Sequence, residues 1–187
     1  MSTGVVALGE MGDKTQLLAL LLAARYRRPL PIVAGILVAT LANHAGAAAL
    51  GSWLASTLAR WIDPVWMRWL LGASFIAVAL WMLVPDTAEE VEGRERSRCG
   101  VFGITVVAFF LAEMGDKTQI ATVMLAARYN ELVWVTAGTT LGMMLANVPA
   151  VYLGDRVTRW VSMVWMHRIA ALVFAGLGLA VLLGVGD

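Results

Sequence analysis

The two halves of this chain are copies of one another, which limits the fold to arrangements that place two similar units around one axis. The heptapeptide Glu-Met-Gly-Asp-Lys-Thr-Gln occurs at residues 10–16 and again at residues 113–119. The same shift of 103 residues aligns Gly35 with Gly138 without a gap. A match of this length predicts a duplicated unit, so each structural feature of one half should recur in the other.

Each copy contains three apolar segments. Hydrophobic residues make up 60% of the chain and charged residues only 14%, which is too much apolar surface for a soluble protein of this size to hide. A membrane-spanning helix needs about 20 mostly apolar residues. Six segments meet this requirement: residues 2–24, 30–56, 66–84, 101–127, 132–153 and 165–185. Because lipid offers the backbone no hydrogen bonds, the sequence predicts an all-α integral membrane protein with six transmembrane helices.

Three spans per copy is an odd number, so the second copy should enter the membrane from the opposite side. The prediction is therefore two inverted three-helix repeats, at residues 1–84 and 101–187, joined by a cytoplasmic polar linker at residues 85–100. Inverted repeats are typical of secondary transporters, which place their substrate site near the midplane between the copies.

Orientation follows from the basic residues that flank the spans. Nine Lys and Arg residues lie at the loops after spans one, three and five, against three on the other side. The side with the excess is expected to be cytoplasmic. Both termini should therefore lie outside the cytoplasm, and we expect a multi-pass protein of the bacterial inner membrane.

Each heptapeptide carries two acids within an apolar span. An ionised acid at the bilayer centre costs at least about 2.5 kcal/mol, so such acids normally handle an ion or line a cavity. On a continuous helix, which advances about 100° per residue, the acids of one heptapeptide form one polar stripe with Gln and Lys at its edges. The candidate metal ligands are Glu10, Asp13 and Gln16 with their copies Glu113, Asp116 and Gln119.

The four acids carry four negative charges when ionised, and Lys14 and Lys117 offset two of them. The remaining two charges match a divalent cation, and protons should compete with that cation for the same oxygens. Carboxylate and amide oxygens suit Mn2+, Ca2+ and Mg2+, whereas Zn2+ and copper usually recruit His or Cys. Met11 and Met114 could add soft sulfur, but on a regular helix they point away from the acids, which favours a packing role.

Three further polar residues lie within predicted spans. Asn43 and His44 in span two occupy nearly the same place as Asn147 in span five, and the asparagines are candidate supporting residues. His44 is more simply an interhelical hydrogen-bond donor than a proton relay. Pro149 removes a helical hydrogen bond and frees the Leu145 carbonyl, which could bind an ion or bend a packed helix.

The paired signature resembles that of the cation/proton exchangers once catalogued as uncharacterised protein family sixteen, which include a Golgi manganese and calcium transporter and bacterial manganese exporters. Both copies match Glu-x-Gly-Asp-(Lys/Arg)-(Thr/Ser) without substitution, and the resemblance covers essentially the whole chain. It implies exchange of Mn2+ or Ca2+ for protons, with the four acids as metal-site residues. The supporting motif members it implies are Lys14, Thr15, Lys117 and Thr118.

Other classes of function fit the sequence less well. A proton-coupled exporter of small organic cations could use the same acids, but its cavity should be lined by aromatic residues, and here the Trp residues lie near span ends. No motif of a hydrolase or a phosphate loop is present, so no enzyme is expected. The formal charge of +1 and the scattered basic residues predict no nucleic-acid partner. We expect no cofactor, with the metal ion as the transported substrate; the sequence leaves open Mn2+ against Ca2+, the proton stoichiometry and the oligomeric state.

Overall fold

The computed structural model describes residues 2–11, 13–83, 100–153 and 163–184, and these residues form helices and short connections without a strand. The helices are α1 (Ser2–Glu10), α2 (Lys14–Tyr26), α3 (Pro29–Leu58), α4 (Pro64–Met82), α5 (Gly100–Glu113), α6 (Lys117–Tyr129), α7 (Leu132–Leu153) and α8 (Met163–Leu182). The predicted linker, apart from Gly100, lies outside the described residues.

Several of the helices have the length and composition of membrane spans. Pro29–Leu58, Pro64–Trp81 and Leu132–Leu153 are long and apolar enough to cross a bilayer, and Gly100–Glu113 and Arg168–Leu182 are shorter apolar helices. Large apolar side chains face outward along them, and Trp61 next to the start of α4 is 85% exposed. Outward-facing Leu and Trp side chains are what a lipid environment requires. The all-helical membrane class is therefore supported, while the six-span inverted repeat stays a prediction.

The expectation that each heptapeptide lies on a continuous helix is wrong. The predicted spans at residues 2–24 and 101–127 are each divided at the signature, into α1 and α2 and into α5 and α6. In the second copy Gly115 adopts a φ of 74°, which a residue without Cβ reaches at little cost. Asp116 follows in an extended conformation with φ −78° and ψ 160°. These two residues interrupt the ladder of helical hydrogen bonds, so a regular helical projection does not describe the signature.

The helices that follow the two signatures, α2 and α6, end in the same way. The last turn of α2 is closed by Arg27 with φ 52°, and that of α6 by Asn130 with φ 51°. In each case the backbone N–H donates to a carbonyl four residues earlier, at 3.0 Å for Ala23 and 2.9 Å for Ala126. Arg27 and Asn130 are repeat counterparts, so the duplication extends to the geometry of these helix ends.

The long helices α3 and α7 pack against the short helices α1, α2, α5 and α6, which are the parts of the two divided spans. α3 packs against α5, α6 and α7, while α7 packs against α1 and α2. A Cβ on Gly35 of α3 would lie 2.7 Å from Thr105 Cβ in α5. Its counterpart Gly138 of α7 would place a Cβ 3.2 Å from Ser2 Cβ in α1. Equivalent glycines therefore let each long helix approach the first half-helix of the other repeat.

Helices α4 and α8 form the remaining pair and contact one another extensively. The buried rings of Phe75 and Phe174 lie with their centroids 6.1 Å apart, a distance typical of favourable aromatic pairs. These two residues also match in the repeat alignment once four residues are dropped from the shift of 103. A twofold axis relates each residue of one copy to its counterpart in the other. Two counterparts can contact one another only close to that axis, so the axis would pass near Phe75 and Phe174.

Candidate metal centre

The two helix breaks position all four signature acids. Glu10 and Glu113 are the last residues of α1 and α5, and Asp13 and Asp116 immediately precede α2 and α6. All four side chains are buried, with no more than 3% of any residue exposed. A broken helix exposes unpaired carbonyl groups at one end and N–H groups at the other. Transporters use such discontinuous helices to bind ions at the membrane midplane.

Three of the four acids form one cluster. Single carboxylate oxygens of Glu10, Asp13 and Asp116 all lie within 4.8 Å of one another. Ca2+ binds oxygen ligands at about 2.3–2.6 Å, so two ligands of one ion lie at most about 5 Å apart. The cluster therefore has the dimensions of a site for a single cation, and it combines residues of both repeats.

Glu113 is not among the three acids of this cluster. Its Oε1 accepts a hydrogen bond of 2.7 Å from the Thr40 hydroxyl of α3, while its Oε2 is buried without a hydrogen-bond partner among the described residues. Sequence reasoning missed Thr40. The available signal was its spacing, because Thr40, Asn43 and His44 lie on one face of an otherwise apolar helix.

One of the two signature lysines bridges the repeats. Lys14 Nζ lies 3.2 Å from Asp116 Oδ1, with 27% of the Lys14 side chain exposed. Three ionised carboxylates and this ammonium group leave two negative charges at the cluster, which a divalent cation would balance. Lys117 is buried.

The signature threonines orient carboxylates within their own repeats. Thr15 Oγ1 donates to Glu10 Oε2 at 2.5 Å, and Thr118 Oγ1 donates to Asp116 Oδ2 at 3.1 Å. The hydroxyl of Thr118 therefore bonds an aspartate where its counterpart bonds a glutamate, and the Thr118 side chain also interacts with Glu10 of the other repeat. The two signature glutamates also differ in position, because Glu10 belongs to the acid cluster and Glu113 bonds Thr40 outside it.

The signature glutamines contact the long helices. Gln16 Nε2 donates to the Ala146 carbonyl of α7 at 3.0 Å. Gln119 Nε2 donates to Asn43 Oδ1 of α3, and Gln119 Oε1 accepts from the Gly115 N–H at 2.7 Å. The oxygen of Gln119 is therefore engaged with the backbone of the helix break in this conformation. Both glutamines link a signature to α3 or α7.

The other predicted polar residues are all buried in α3 and α7. Asn43 Nδ2 also donates to the Phe110 carbonyl at 3.4 Å, while Asn147 Nδ2 donates to the Met143 carbonyl at 3.1 Å. Neither ring nitrogen of His44 has a hydrogen-bond partner among the described residues. Met114 is 57% exposed, so it faces outward instead of packing within the protein as the sequence favoured.

Taken together, the fold and this cluster define a class: helical membrane proteins whose broken helices bring buried carboxylates from two repeats together. A family model described as divalent cation/proton antiporter GDT1 matches residues 1–90 and 101–186. The chain therefore belongs to the GDT1 family of divalent cation/proton antiporters.

Relatives from bacteria and plants agree with this assignment. The chain is 47% identical over 182 residues to a Vibrio cholerae protein named "Putative manganese exporter", covering 96% of this chain and 88% of the relative. It is 31% identical to a GDT1-like protein of Synechocystis, covering 91% and 89%, and 25% identical to GDT1-like protein 4 of Oryza sativa subsp. indica, covering 96% and 70%. No solved structure matches significantly.

Proposed function

We propose that this protein exchanges Mn2+ or Ca2+ for protons across a bacterial inner membrane, at one site shared by the two repeats. The observation that carries the proposal is the buried cluster of Glu10, Asp13 and Asp116, whose ligand oxygens lie within 4.8 Å. Two of these acids come from the first signature and one from the second, so neither repeat supplies the cluster alone. Glu113 and the signature glutamines complete the proposed site in another arrangement of the helices.

The choice of ion follows from the donor atoms. The cluster offers carboxylate oxygens, which Mn2+ and Ca2+ accept readily, and includes neither imidazole nor thiolate. Zn2+ and copper should therefore be poor substrates. The Vibrio cholerae relative is named for manganese export, and we therefore propose Mn2+ as the first candidate ion for this chain.

Proton coupling follows from competition for the same oxygens. A metal ion binds carboxylates in their deprotonated form, so loading the site releases protons and protonation expels the metal. Lys14 supports this exchange, because its ammonium group 3.2 Å from Asp116 compensates one charge permanently and leaves two to be shared between metal and protons. Exposure of this one site to each side in turn is sufficient for antiport.

The membrane arrangement that we propose consists of six spans in two inverted repeats, at residues 1–84 and 101–187. The matched contacts of Gly35 and Gly138 with counterpart residues and the pairing of Phe75 with Phe174 support it. With the polar linker in the cytoplasm, both termini lie outside. Since protons are more abundant outside, exchange then drives metal out of the cytoplasm.

The proposal is tested by metal-driven proton movement in proteoliposomes that contain equal amounts of folded protein. Glu10→Gln and Asp116→Asn keep side-chain size while removing a cluster charge, and each should abolish most Mn2+-driven flux. Glu131→Gln is the matched control, because Glu131 is an exposed acid at the start of α7 and its loss should change nothing. Normal exchange by Glu10→Gln, or Zn2+ exchange without Mn2+ or Ca2+ exchange, would refute the proposed site.

A shared site also predicts non-additive effects between the repeats. Glu113→Gln should reduce exchange severely, and the double variant with Glu10→Gln should be little worse than either single one, because groups that act as one unit do not add. The number of bound metal ions, measured by calorimetry, should be one. Two ions, each lost with its own glutamate, would show two independent sites.

A further inference from the structure

Three buried oxygens on α7 have no hydrogen-bond partner among the described residues: Thr136 Oγ1, Thr140 Oγ1 and Asn147 Oδ1. Their spacing places them within about 40° around the helix, so they form one stripe. Burial of a polar oxygen without a partner is costly. We therefore expect each of these oxygens to gain a partner, such as water or an ion, in another conformation of the protein.

Other buried threonines show how this cost is normally avoided. Thr139, on the same turn as Thr140, donates to the Val135 carbonyl of its own helix at 2.9 Å. Thr122 of α6 donates to the Thr118 carbonyl at 2.8 Å. Such bonds satisfy a hydroxyl in an apolar setting without help from outside the helix. Thr136 and Thr140 make no such bond, so their oxygens remain available.

The two hydroxyl groups of the stripe belong to one repeat only, whereas the shift of 103 residues pairs Asn147 with His44, whose ring nitrogens are also buried without a partner among the described residues. The counterparts of Thr136 and Thr140 in α3 are Val33 and Leu37, and Leu37 is 42% exposed. The hydroxyl groups were therefore not required by the packing that both copies share. Because inverted copies face opposite sides of a membrane, a feature of one copy serves one side.

The stripe extends along α7 from near the beginning of the helix toward the first signature. Thr136 lies in the second turn of α7, and Asn147 is eleven residues further on, a rise of about 16 Å or half the hydrocarbon thickness. Asn147 adjoins Ala146, whose carbonyl accepts the hydrogen bond from Gln16 in the first signature. The inner end of the stripe thus lies beside the signature that supplies Glu10 and Asp13.

We propose that Thr136, Thr140 and Asn147 line the path by which the divalent cation moves between the acid cluster and the side of the membrane where α7 begins. Neutral hydroxyl and amide oxygens replace part of the hydration shell of a hard cation, and without a net charge they release it again. All three side chains are buried, so the path is closed in this conformation, as one end of an alternating carrier must be.

The path is tested with the double variant Thr136→Val, Thr140→Val, which keeps side-chain shape and removes both hydroxyls. Removal of unpaired buried hydroxyls should not destabilise the fold, so a loss of transport cannot be assigned to misfolding. We expect the initial rate of Mn2+ transport in proteoliposomes to fall about tenfold, with Mn2+ affinity in detergent unchanged. The matched control Thr139→Val removes a hydroxyl that is already bonded to its own helix, and it should transport at the normal rate.

This inference rests on the proposed function, but the two fail differently. If the unaltered protein moves no Mn2+, the proposed function fails. If it moves Mn2+ and the double valine variant does so at the same rate, or if Thr139→Val is slowed equally, only the path is wrong. A variant that loses Mn2+ affinity but keeps its maximal rate would also overturn the path, since the threonines would then be ligands of the resting site.

Discussion

The contact between α3 and α6 gives the sharpest prediction of a single substitution, Gly51→Ala. A Cβ on Gly51 would lie 2.1 Å from the Val123 carbonyl oxygen and 3.0 Å from Val123 Cα, whereas ordinary contacts begin near 3.4 Å. The obstacle is backbone rather than a flexible side chain, so the two helices must separate. Forcing an extra methyl group into a packed interface typically costs about 1–3 kcal/mol.

Thermal unfolding in detergent, followed through tryptophan fluorescence, measures this cost. In a chain of this length about 1 kcal/mol shifts the melting temperature by about 2–4 °C, so a steric cost of about 2 kcal/mol predicts a melting temperature roughly 4–8 °C below that of a glycine-to-alanine variant that gains the same helix propensity without the clash. The eight Trp residues provide the signal without a label. In the same variant, a cysteine introduced into the α3–α6 interface should react faster with thiol reagents, because the two helices are farther apart.

Gly46→Ala is the matched control on the same helix. A Cβ on Gly46 would meet nothing within 4 Å, and replacement of an interior helical glycine by alanine favours the helix by about 1 kcal/mol. Both substitutions share this gain, so the difference between them isolates the steric contact with Val123. A Gly51→Ala protein that melts within about 1 °C of the Gly46→Ala protein would refute the close packing on which the prediction rests.

Three further predictions follow from the site and the core. Thr40→Val removes the hydroxyl that donates to Glu113 at 2.7 Å. Because the carboxylate then loses its orientation, Mn2+-driven proton flux should fall about tenfold. Unchanged flux would show that this hydrogen bond has no functional role. Lys14→Met removes the ammonium group beside Asp116, so a proton must compensate the negative charge of the cluster in its place. The pH at which half of the protein binds Mn2+, measured by calorimetry, should therefore shift to a higher value. An unchanged pH midpoint would contradict the proposed role of Lys14 in charge compensation. Phe75→Ala empties a buried aromatic position and should cost about 3–5 kcal/mol of stability, measured by the same thermal assay, and a loss below about 1 kcal/mol would contradict its place in the core.

Local patterns in the sequence predicted the ends of several helices closely. The span predicted at residues 132–153 coincides with α7, and the span at residues 30–56 lies within α3. These boundaries are readable because charged and polar residues interrupt the apolar composition at residues 25–29 and 128–131. The membrane class follows from the same local information, since an apolar segment of sufficient length in lipid has few alternatives to a helix.

The breaks in the signature helices were missed for a local reason as well. The helical projection assumed an unbroken helix through residues 10–16 and 113–119, although each heptapeptide contains a glycine. At Gly115 a φ of 74° is accessible to glycine in a way that composition and hydropathy do not reveal. The acid pairs consequently lie at helix ends rather than on one helical stripe.

The sequence by itself determined the duplication, the membrane setting and which acids belong to the signatures. The first follows from the repeat, the second from the apolar composition and the third from the heptapeptide motif. Only the tertiary structure decided that Glu10, Asp13 and Asp116 form the cluster while Glu113 bonds Thr40, and that Lys14 reaches across to the other repeat. These partners are far apart in the sequence; Thr40 and Glu113, for example, are 73 positions apart. Two identical heptapeptides cannot specify such a difference, because identical local sequences acquire different partners only from the helices packed around them.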